Sequence, residues 1–425
     1  MLLPAIELSE EERGLFAGEG GEAARLAMQI LVRMAPIYGA KSLLPVTRAH
    51  IDGCIYEGDA GLEFAERLAA HGGRVAVPTS LNVISLDHTR WQEHGLSPDY
   101  ADKARRLGQA YVDMGAVPTF TCAPYQIGHQ PAFGEQIAWS ESNAVTYANS
   151  IIGARTNRYG DYLDVSCALV GRVPASGLHL TENRLGQVLV TLRGIPPELF
   201  GEDDFYPVMG YLLGTIVDEE IPVVAGIEAA PTDDQLKAMS AATSTSGSIA
   251  LFHLIGITPE APTQADVFGG RPPQREVVVT MNELRAARAG LTTSAGDELD
   301  VVAFGSPHCS LAECRTLADL MVGQRAAPSV EVWVTTSRAV RELAGRAGFL
   351  AQLEEFGARV TADTCIAVSP LVKRGSRAMM TNSAKYAHYA PGLIGVQSIF
   401  GSTNDCVASA IAGRVVLRPS RAWSA

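Results

Sequence analysis

The chain has 425 residues, of which 47% are hydrophobic and 19% are charged, so it can bury a large core or several lobes. Its formal net charge of −12 argues against nucleic acid and anionic membranes as main partners. No apolar run is long enough to cross a membrane, and the acidic start MLLPAIELSEEERGLF is unlike a signal peptide, so we predict a cytoplasmic protein.

The first half of the chain predicts helices that alternate with short strands. Residues 9–35 predict helices, and Ser9 with Glu12 has the spacing of a capping box. VAVPTSLNV and VPTFTCAPY are typical of strands that run into loops, and a helix over 98–114 joins them. A further helix is predicted over 139–152.

The second half has a more regular pattern. The apolar residues 206–217 predict a buried helix, and the Pro- and Gly-rich segment 258–275 is the best candidate for an internal lobe boundary. After it, strand patterns such as EVVVT, DVVAF, EVWVTTS and RVTAD alternate with single helical segments such as RAVRELAGRAGFLAQLEEFG. This alternation predicts an α/β fold with a parallel sheet and helices on its faces.

The chain has seven cysteines, and an odd number in such a chain argues against a disulfide framework. None of them forms a CxxC pair. Four of them follow predicted strands: Cys122, Cys309, Cys365 and Cys406. Because the carboxyl ends of parallel strands meet at one sheet edge, these thiols can converge there. Three convergent thiolates suit an iron–sulfur cluster, and an iron without a protein ligand can act as a Lewis acid. The alternative is that they are small buried hydrophobes, as we expect of Cys167 and Cys314.

Polar residues occupy similar positions. Glu141, Ser142 and Asn143 are predicted in a first helical turn, where backbone N–H groups bind anions, although a plain N-cap would explain them equally. Lys385 lies in a mostly uncharged stretch and is predicted to pair with a substrate anion or a carboxylate. His308 is either an acid/base group or a satisfied loop histidine.

Taken together, these motifs resemble the catalytic large unit of the aconitase X family. The matching pieces run from near residue 15 to near residue 410: LFAGEGGEAARLAMQIL, HIDGC, TSLNV, TCAPYQ, ESNAV, YANSIIGARTNRYGD, GSPH, ADTC, TNSAKYAHYAPG and FGSTNDCV. The resemblance implies one catalytic domain over residues 1–425, with an aconitase-like core of several α/β/α lobes and mostly parallel sheets. It also implies a dehydratase with an iron–sulfur cluster, either 2Fe–2S or 3Fe/4Fe–4S.

The resemblance suggests Cys122 and Cys365 as cluster ligands. In the mevalonate-phosphate branch of the family a cysteine tends to follow the glycine of the G-x-P-H motif, where this chain has Ser306. Cys309 or Cys406 would then be the third ligand. We favour Cys406, because a helix N-terminus is predicted to lower the pKa of its thiol.

Further site residues are carried over from the same resemblance. The family's substrate-binding positions match Gly53, Cys54, Ile55, Asn82, Val83 and Asn143, and its catalytic positions match Lys385, Glu141 and Ser142. HIDGC and TSLNV are more similar to the branch that dehydrates cis-3-hydroxy-L-proline than to the branch that acts on mevalonate 5-phosphate.

The family also needs a small swivelling domain, which supplies a serine base and has no counterpart among these motifs. We therefore expect a heterodimer with a small swivelling subunit, acting on a small hydroxy acid. The favoured function is a cis-3-hydroxy-L-proline dehydratase component. The alternatives are the large subunit of a mevalonate 5-phosphate dehydratase and a non-catalytic α/β binding subunit without a cluster. Detection of bound iron would distinguish the two enzyme functions from the non-catalytic subunit.

Overall fold

The computed structural model describes residues 6–424 and divides into two compact units, Met1–Leu185 and Gly186–Ala425. The helices of the first unit are α1 (Glu10–Ala17), α2 (Glu22–Met34), α3 (Asp59–Ala70), α4 (Pro98–Asp113), α5 (Ser142–Tyr147) and α6 (Leu163–Val170). Its strands are β1 (Leu43–Pro45), β2 (Ala49–Ile51), β3 (Thr79–Leu81), β4 (Ala138–Trp139) and β5 (Arg172–Pro174).

The sheet that positions the loops of the first unit has the order β3-β2-β4, and both pairings are parallel. All three strands are buried along their full length, as expected of parallel strands covered on both faces. Strands β1 and β5 form a separate antiparallel pair. The predicted capping box of α1 is confirmed, because Glu12 N donates to Ser9 Oγ and Ser9 N donates to Glu12 Oε2.

The second unit contains two sheets. Its strands are β6 (Val188–Leu192), β7 (Pro222–Ala225), β8 (His253–Leu254), β9 (Arg275–Val279), β10 (Val301–Cys309), β11 (Glu331–Thr336), β12 (Ala358–Ala362), β13 (Ala378–Thr381) and β14 (Gln397–Phe400). Its helices are α7 (Phe205–Val217), α8 (Asp233–Ser246), α9 (Gln264–Val267), α10 (Met281–Gly290), α11 (Leu311–Met321), α12 (Arg338–Arg346), α13 (Phe349–Phe356), α14 (Ala384–Leu393), α15 (Thr403–Ala412) and α16 (Arg421–Ser424).

Both sheets of this unit are parallel, with the orders β8-β7-β6-β9 and β12-β11-β10-β13-β14. In the larger sheet the chain runs outward from β10 to β12 and then returns to the other side of β10 as β13. The order therefore reverses between β10 and β13, and ligands of open α/β sheets bind at the carboxyl edge beside such a reversal. The predicted α/β class with mostly parallel sheets is confirmed.

Several local predictions differ from the structure. The predicted single helix RAVRELAGRAGFLAQLEEFG is two helices, because Gly348 adopts the left-handed φ of 83° between α12 and α13. Residues 139–152 comprise the end of β4, then α5 and a π-helical turn at Ala148–Ile152, rather than one α-helix. VPTFTCAPY forms a single bridge, Ser80 to Val117, instead of a strand.

The Pro- and Gly-rich segment 258–275 lies inside the second unit, where it contains α9 and leads into β9. The predicted buried helix at 206–217 is confirmed as α7. Among residues 6–424 no helix combines the length and the apolarity that a bilayer crossing would require.

Candidate functional site

Three loops of the first unit carry most of the predicted substrate-binding residues. Gly53, Cys54 and Ile55 follow β2, Asn82 and Val83 follow β3, and Ser140 with Glu141 follows β4. Because these strands are adjacent and parallel, their following loops share the carboxyl edge of the sheet. The structure therefore brings these predicted residues to one edge.

The side chain that joins two of these loops is Asp164, in the first turn of α6. Its Oδ2 accepts hydrogen bonds from Asp52 N at 2.6 Å, Gly53 N at 3.3 Å and Ser140 Oγ at 2.8 Å, and its Oδ1 accepts from Val165 N at 2.6 Å. Burial raises the pKa of this carboxyl, and these four donors act in the opposite direction. Asp164 holds the loop after β2 against the loop after β4.

The loop after β3 is attached through Asn82, whose Nδ2 donates to Asp52 Oδ1. Burial raises the pKa of Asp52 well above its usual value, and the nearby carboxyls of Glu141, Asp161 and Asp164 raise it further. The pKa of Asp161 is raised to about 6, chiefly by burial and then by Asp164 and Glu57. This edge of the sheet is therefore rich in carboxyl groups.

Cys54 is fully buried beneath this edge and its thiol is a donor. Its Sγ lies 3.1 Å from Asn82 O and 3.5 Å from Val83 O. Burial is the main cause that raises its pKa well above the usual range, and the charge of Asp52 raises it further. Cys54 therefore ties two loops together as a neutral thiol.

Glu141 is the N-cap of α5, where its Oε2 accepts from Ala144 N at 2.7 Å and its Oε1 accepts from Ser142 Oγ at 3.2 Å. Of the two predictions for this helix start, the geometry favours the N-cap over a bound anion, because the Glu141 carboxylate already occupies it. A second negative group there would be repelled.

Asn143 is fully buried and its Nδ2 donates to Cys122 O at 3.1 Å and to Tyr125 Oη at 3.0 Å. Its Oδ1 has no hydrogen-bond partner among residues 6–424. Asn143 thus fixes the backbone at the predicted cluster ligand Cys122, whose residue keeps 9% of its surface exposed.

In the second unit, the surroundings of Cys365 act on its thiol in opposite directions. Burial raises the pKa of the Cys365 thiol, whereas the N–H groups of Ala367 and Val368, the Tyr386 hydroxyl and the charge of Lys385 lower it. Lys385 is half-buried in the first turn of α14. A sulfur surrounded by donors and a cation is suited to be an anionic ligand.

The other two strand-end thiols have different surroundings. Cys309 is the last residue of β10 rather than a loop residue, and Cys406 lies in the second turn of α15 with no exposed surface. Burial raises the pKa of Cys406 well above its usual value, and Asp203, Asp405 and Asp204 raise it further. The predicted lowering of the Cys406 pKa by the helix N-terminus is wrong, because burial and neighbouring acids outweigh it.

Among the predicted cluster ligands, Cys122 in the first unit and Cys365 in the second each keep 9% exposure, whereas Cys406 keeps none. Cys309 is 3% exposed, and burial and then Glu313 raise its pKa well above the usual range. Within the described residues, three potential metal ligands that lie close enough to share one ion are Glu202, Asp203 and Asp204.

That acidic group is already bonded within the protein. Asp203 Oδ2 accepts from Thr403 N at 2.7 Å, and Asp204 accepts from Trp423 Nε1 at 2.7 Å and from Arg288 Nε at 2.9 Å. These contacts give its carboxylates a structural role. His308 is likewise a satisfied histidine, because it is fully buried with Nε2 3.0 Å from Thr364 O.

The sequence reasoning missed Asp164 and Asp161. Asp161 ends the motif YANSIIGARTNRYGD, and Asp164 follows three residues later at the start of the buried helix LDVSCALV. An acid at the start of such a buried helix is a signal that could have found it, because a buried carboxylate must have donors.

Comparisons with known proteins identify the family of the chain. Family models match the chain as the aconitase X first domain at residues 5–182, second domain at 186–289 and third domain at 299–412. A cis-3-hydroxy-L-proline dehydratase from Pseudomonas aeruginosa is 50% identical over 95% of this chain and 70% of its own length. One from Hypocrea jecorina is 44% identical over 96% of this chain and 69% of its own length.

A phosphomevalonate dehydratase large subunit from Methanothermobacter thermautotrophicus is 38% identical over 93% of this chain and 96% of its own length. The crystal structure of aconitase X from Thermococcus kodakaraensis, in its holo-form, has a TM-score of 0.85 at 34% identity and covers 95% of this chain and all of its own. The three relatives from Pseudomonas, Hypocrea and Methanothermobacter are named dehydratases, and each matches 93% or more of this chain. The chain belongs to the aconitase X family and is an enzyme of the dehydratase, or hydro-lyase, class.

Proposed function

We propose that the enzyme is an iron–sulfur-dependent dehydratase of a small unphosphorylated hydroxy acid, with cis-3-hydroxy-L-proline as the best candidate. Relatives named for that substrate are 50% and 44% identical to the chain, against 38% for the phosphomevalonate relative. HIDGC and TSLNV contain no Lys or Arg, whereas proteins usually bind phosphate with arginines, glycine-rich loops or metals.

The observation that carries the iron–sulfur part of the proposal is the set of groups around Cys365 that favour a thiolate: the N–H groups of Ala367 and Val368, the Tyr386 hydroxyl and the charge of Lys385. Lys385 is close enough to lower the pKa of the Cys365 thiol, which also has two backbone N–H donors. Cys122 and Cys365 would hold the cluster, which supplies Lewis-acid iron to assist the departure of hydroxide when it is bound.

The residues of this chain have a defined task in such a reaction. Lys385 binds the substrate carboxylate and stabilises the negative charge that grows on it when the neighbouring carbon loses a proton. Asp164 keeps the loop after β2 in place, through the N–H groups of Asp52 and Gly53. Glu141 fixes the start of α5, so that the side chain of Asn143 keeps its hydrogen bond to the carbonyl of Cys122.

We also propose that a small swivelling domain completes the active site and provides the base. The chain matches 70% of the length of the Pseudomonas protein and 96% of the length of the large subunit from Methanothermobacter. The additional domain would be a separate subunit or a further part of the same protein, since one relative is named a large subunit and the other extends beyond the matched region.

The test is an assay of the full chain, produced anaerobically with its small partner, against cis-3-hydroxy-L-proline, the other hydroxyproline isomers and mevalonate 5-phosphate. We expect dehydration of cis-3-hydroxy-L-proline, no turnover of the phosphate ester, and a large loss of rate without the partner. Turnover of the phosphate ester alone would assign the chain to the other branch. Equal rates with and without the partner would show that the base lies in this chain.

A further inference from the structure

We propose that His308 is a positioning residue for Cys365. Its ring donates a hydrogen bond to the carbonyl oxygen of Thr364, and this bond holds the thiol of the next residue in place. The inference rests on the proposed function, in which that thiol is a ligand of the iron–sulfur group. All of these residues belong to the second unit.

The segment that carries Cys365 lies just beyond the end of the five-stranded sheet. The register of β12 with β11 ends at Ala362, which is paired with Thr336. The next residue, Asp363, turns the chain with a left-handed φ of 68°. The position of Cys365 therefore depends on contacts made outside the ladder of the sheet.

Two side chains make such contacts at the two residues before Cys365. Arg338 Nε and Nη2 each donate to a carboxylate oxygen of Asp363 at 2.8 Å, but the Arg338 side chain is 41% exposed, so solvent weakens this pair. His308 Nε2 lies 3.0 Å from Thr364 O, and neither residue has exposed surface. Because a carbonyl oxygen only accepts, Nε2 carries the proton. The buried bond is therefore the stronger of the two constraints.

His308 is itself held firmly. It is the last residue but one of β10, and its own carbonyl oxygen accepts from Lys237 Nζ at 3.2 Å, where Lys237 is 1% exposed. The carbonyl oxygen of Cys309, the next residue, accepts from Thr336 Oγ1 at 2.7 Å. Strands β10 and β12 are separated by β11, so the His308 ring links two strands that are not neighbours. It can thus transfer the fixed position of β10 to the segment after β12.

The position of Cys365 matters because the groups that favour its thiolate are local. The N–H groups of Ala367 and Val368 and the hydroxyl of Tyr386 lower the pKa of this thiol, against the effect of burial. A shift of the backbone at Cys365 would separate the sulfur from these donors. Loss of an outer partner that orients a metal ligand typically lowers metal affinity about 10–100-fold.

The experiment follows the release of iron from the full chain, purified anaerobically, into an excess of chelator, and does not depend on turnover. His308→Leu removes the donor. His308→Asn places its amide near the position of Nδ1, too short to reach Thr364, whereas His308→Gln returns an N–H near the position of Nε2. The matched control is His253→Leu, because His253 is 1% exposed and lies in β8, in the other sheet of the same unit.

We expect iron to leave His308→Leu and His308→Asn about tenfold or more faster than the unmodified chain. His308→Gln should restore most of the slow release, and His253→Leu should release iron at the unmodified rate even if it unfolds at a lower temperature. Thermal unfolding curves check that each variant is folded, and His308→Asn carries the test if His308→Leu is not.

A second measurement needs no iron. In the iron-free chain, hydrogen exchange at the Ala367 and Val368 amides should be faster in His308→Leu and His308→Asn, and unchanged in His253→Leu. These amides report on the turn around the Cys365 sulfur, whereas a general loss of stability would accelerate exchange in the control as well.

Unchanged iron release in the folded His308 variants would overturn the proposal, as would an equal acceleration in His253→Leu. If Cys365→Ser retained all of its iron, the ligand role in the proposed function would fail. Faster exchange at the two amides in His308→Leu would then still support the positioning of Cys365 by His308, and unchanged exchange would refute it.

Discussion

The buried carboxylate of Asp164 accepts a 2.6 Å hydrogen bond from the backbone N–H of Asp52, 112 residues earlier in the chain. The same oxygen also accepts from Gly53 N and Ser140 Oγ. One side chain therefore determines the position of two loops that follow adjacent strands, and its removal should affect all three donors together.

We predict that Asp164→Ala lowers the free energy of unfolding by about 2–4 kcal/mol, because several buried donors lose their acceptor. Hydrogen exchange should become faster at the Asp52 and Gly53 amides in particular. Ser140→Ala removes one donor and leaves the Asp164 carboxylate with three. It should lower the free energy of unfolding by about 1 kcal/mol. Unchanged exchange at both amides in Asp164→Ala would contradict this role.

The raised pKa of Asp161 predicts a pH dependence of stability. Its pKa is about 6 in the folded chain against an ordinary value of 3.8, so the folded state holds the proton more tightly, although the residue is exposed and solvent weakens the effect. This contribution to stability is present below about pH 4 and is lost as the pH rises towards about 6. Asp161→Asn should flatten the stability profile over that interval, as measured by urea unfolding at several pH values. A profile identical to that of the unmodified chain would refute the assignment.

Two of the three candidate cluster cysteines of the second unit, Cys365 and Cys406, should behave differently. Cys365→Ser should lose most of the bound iron after anaerobic purification, because a hydroxyl is a poor iron ligand and the donors around this sulfur would have no thiolate to bind. Cys406→Ser should retain the iron, because this thiol is fully buried among acids. Full iron content in Cys365→Ser, or loss in Cys406→Ser, would reverse the ligand assignment.

Much of the fold could be predicted from the sequence, because the relevant signals are local. The strands β10, β11 and β12 are apolar runs separated by amphipathic helices, and that alternation alone implies a parallel sheet. The break between α12 and α13 was missed because a glycine in a helical pattern is usually tolerated, and only its φ of 83° shows that Gly348 ends the helix.

The site was less predictable, because its interactions join residues distant in sequence. Asp164 and Asp52 are a pair only after folding, and the acids that surround Cys406 come from two separate segments. A position near a helix start suggested a thiolate at Cys406, but the thiol's burial, which decides its pKa, is a tertiary property.

Lys237 provides a test of stability in the second unit. It is 1% exposed, and its Nζ lies 3.0 Å from Asp234 Oδ1 and also pairs with Glu313. Lys237→Met should lower the free energy of unfolding by about 3 kcal/mol. This value is near the lower end of the loss expected when one partner of a buried ion pair is removed, because Asp234 and Glu313 are partly exposed to water. Glu313→Gln in the same background should recover part of this loss in urea unfolding. A fully stable Lys237→Met variant would show that the ion pairs contribute nothing.

Lys385 should act on binding and on turnover together. The carboxylate that it is proposed to hold is charged in the bound substrate and gains further charge as the adjacent proton leaves, so the interaction strengthens towards the transition state. Lys385→Ala is therefore expected to raise KM, to lower kcat, and to reduce kcat/KM by about 100-fold or more. Lys385→Arg should restore part of the affinity, because the positive charge is retained although its geometry changes.

The control is Lys373→Ala, which removes an exposed lysine from the same unit and should leave both constants unchanged. Steady-state kinetics of the assembled enzyme with cis-3-hydroxy-L-proline measures the two constants separately. A rise in KM with an unchanged kcat would mean that Lys385 binds ground state and transition state equally, and would remove it from the charge-stabilising role. Unchanged kinetics in Lys385→Ala would place the carboxylate-binding group elsewhere in the enzyme.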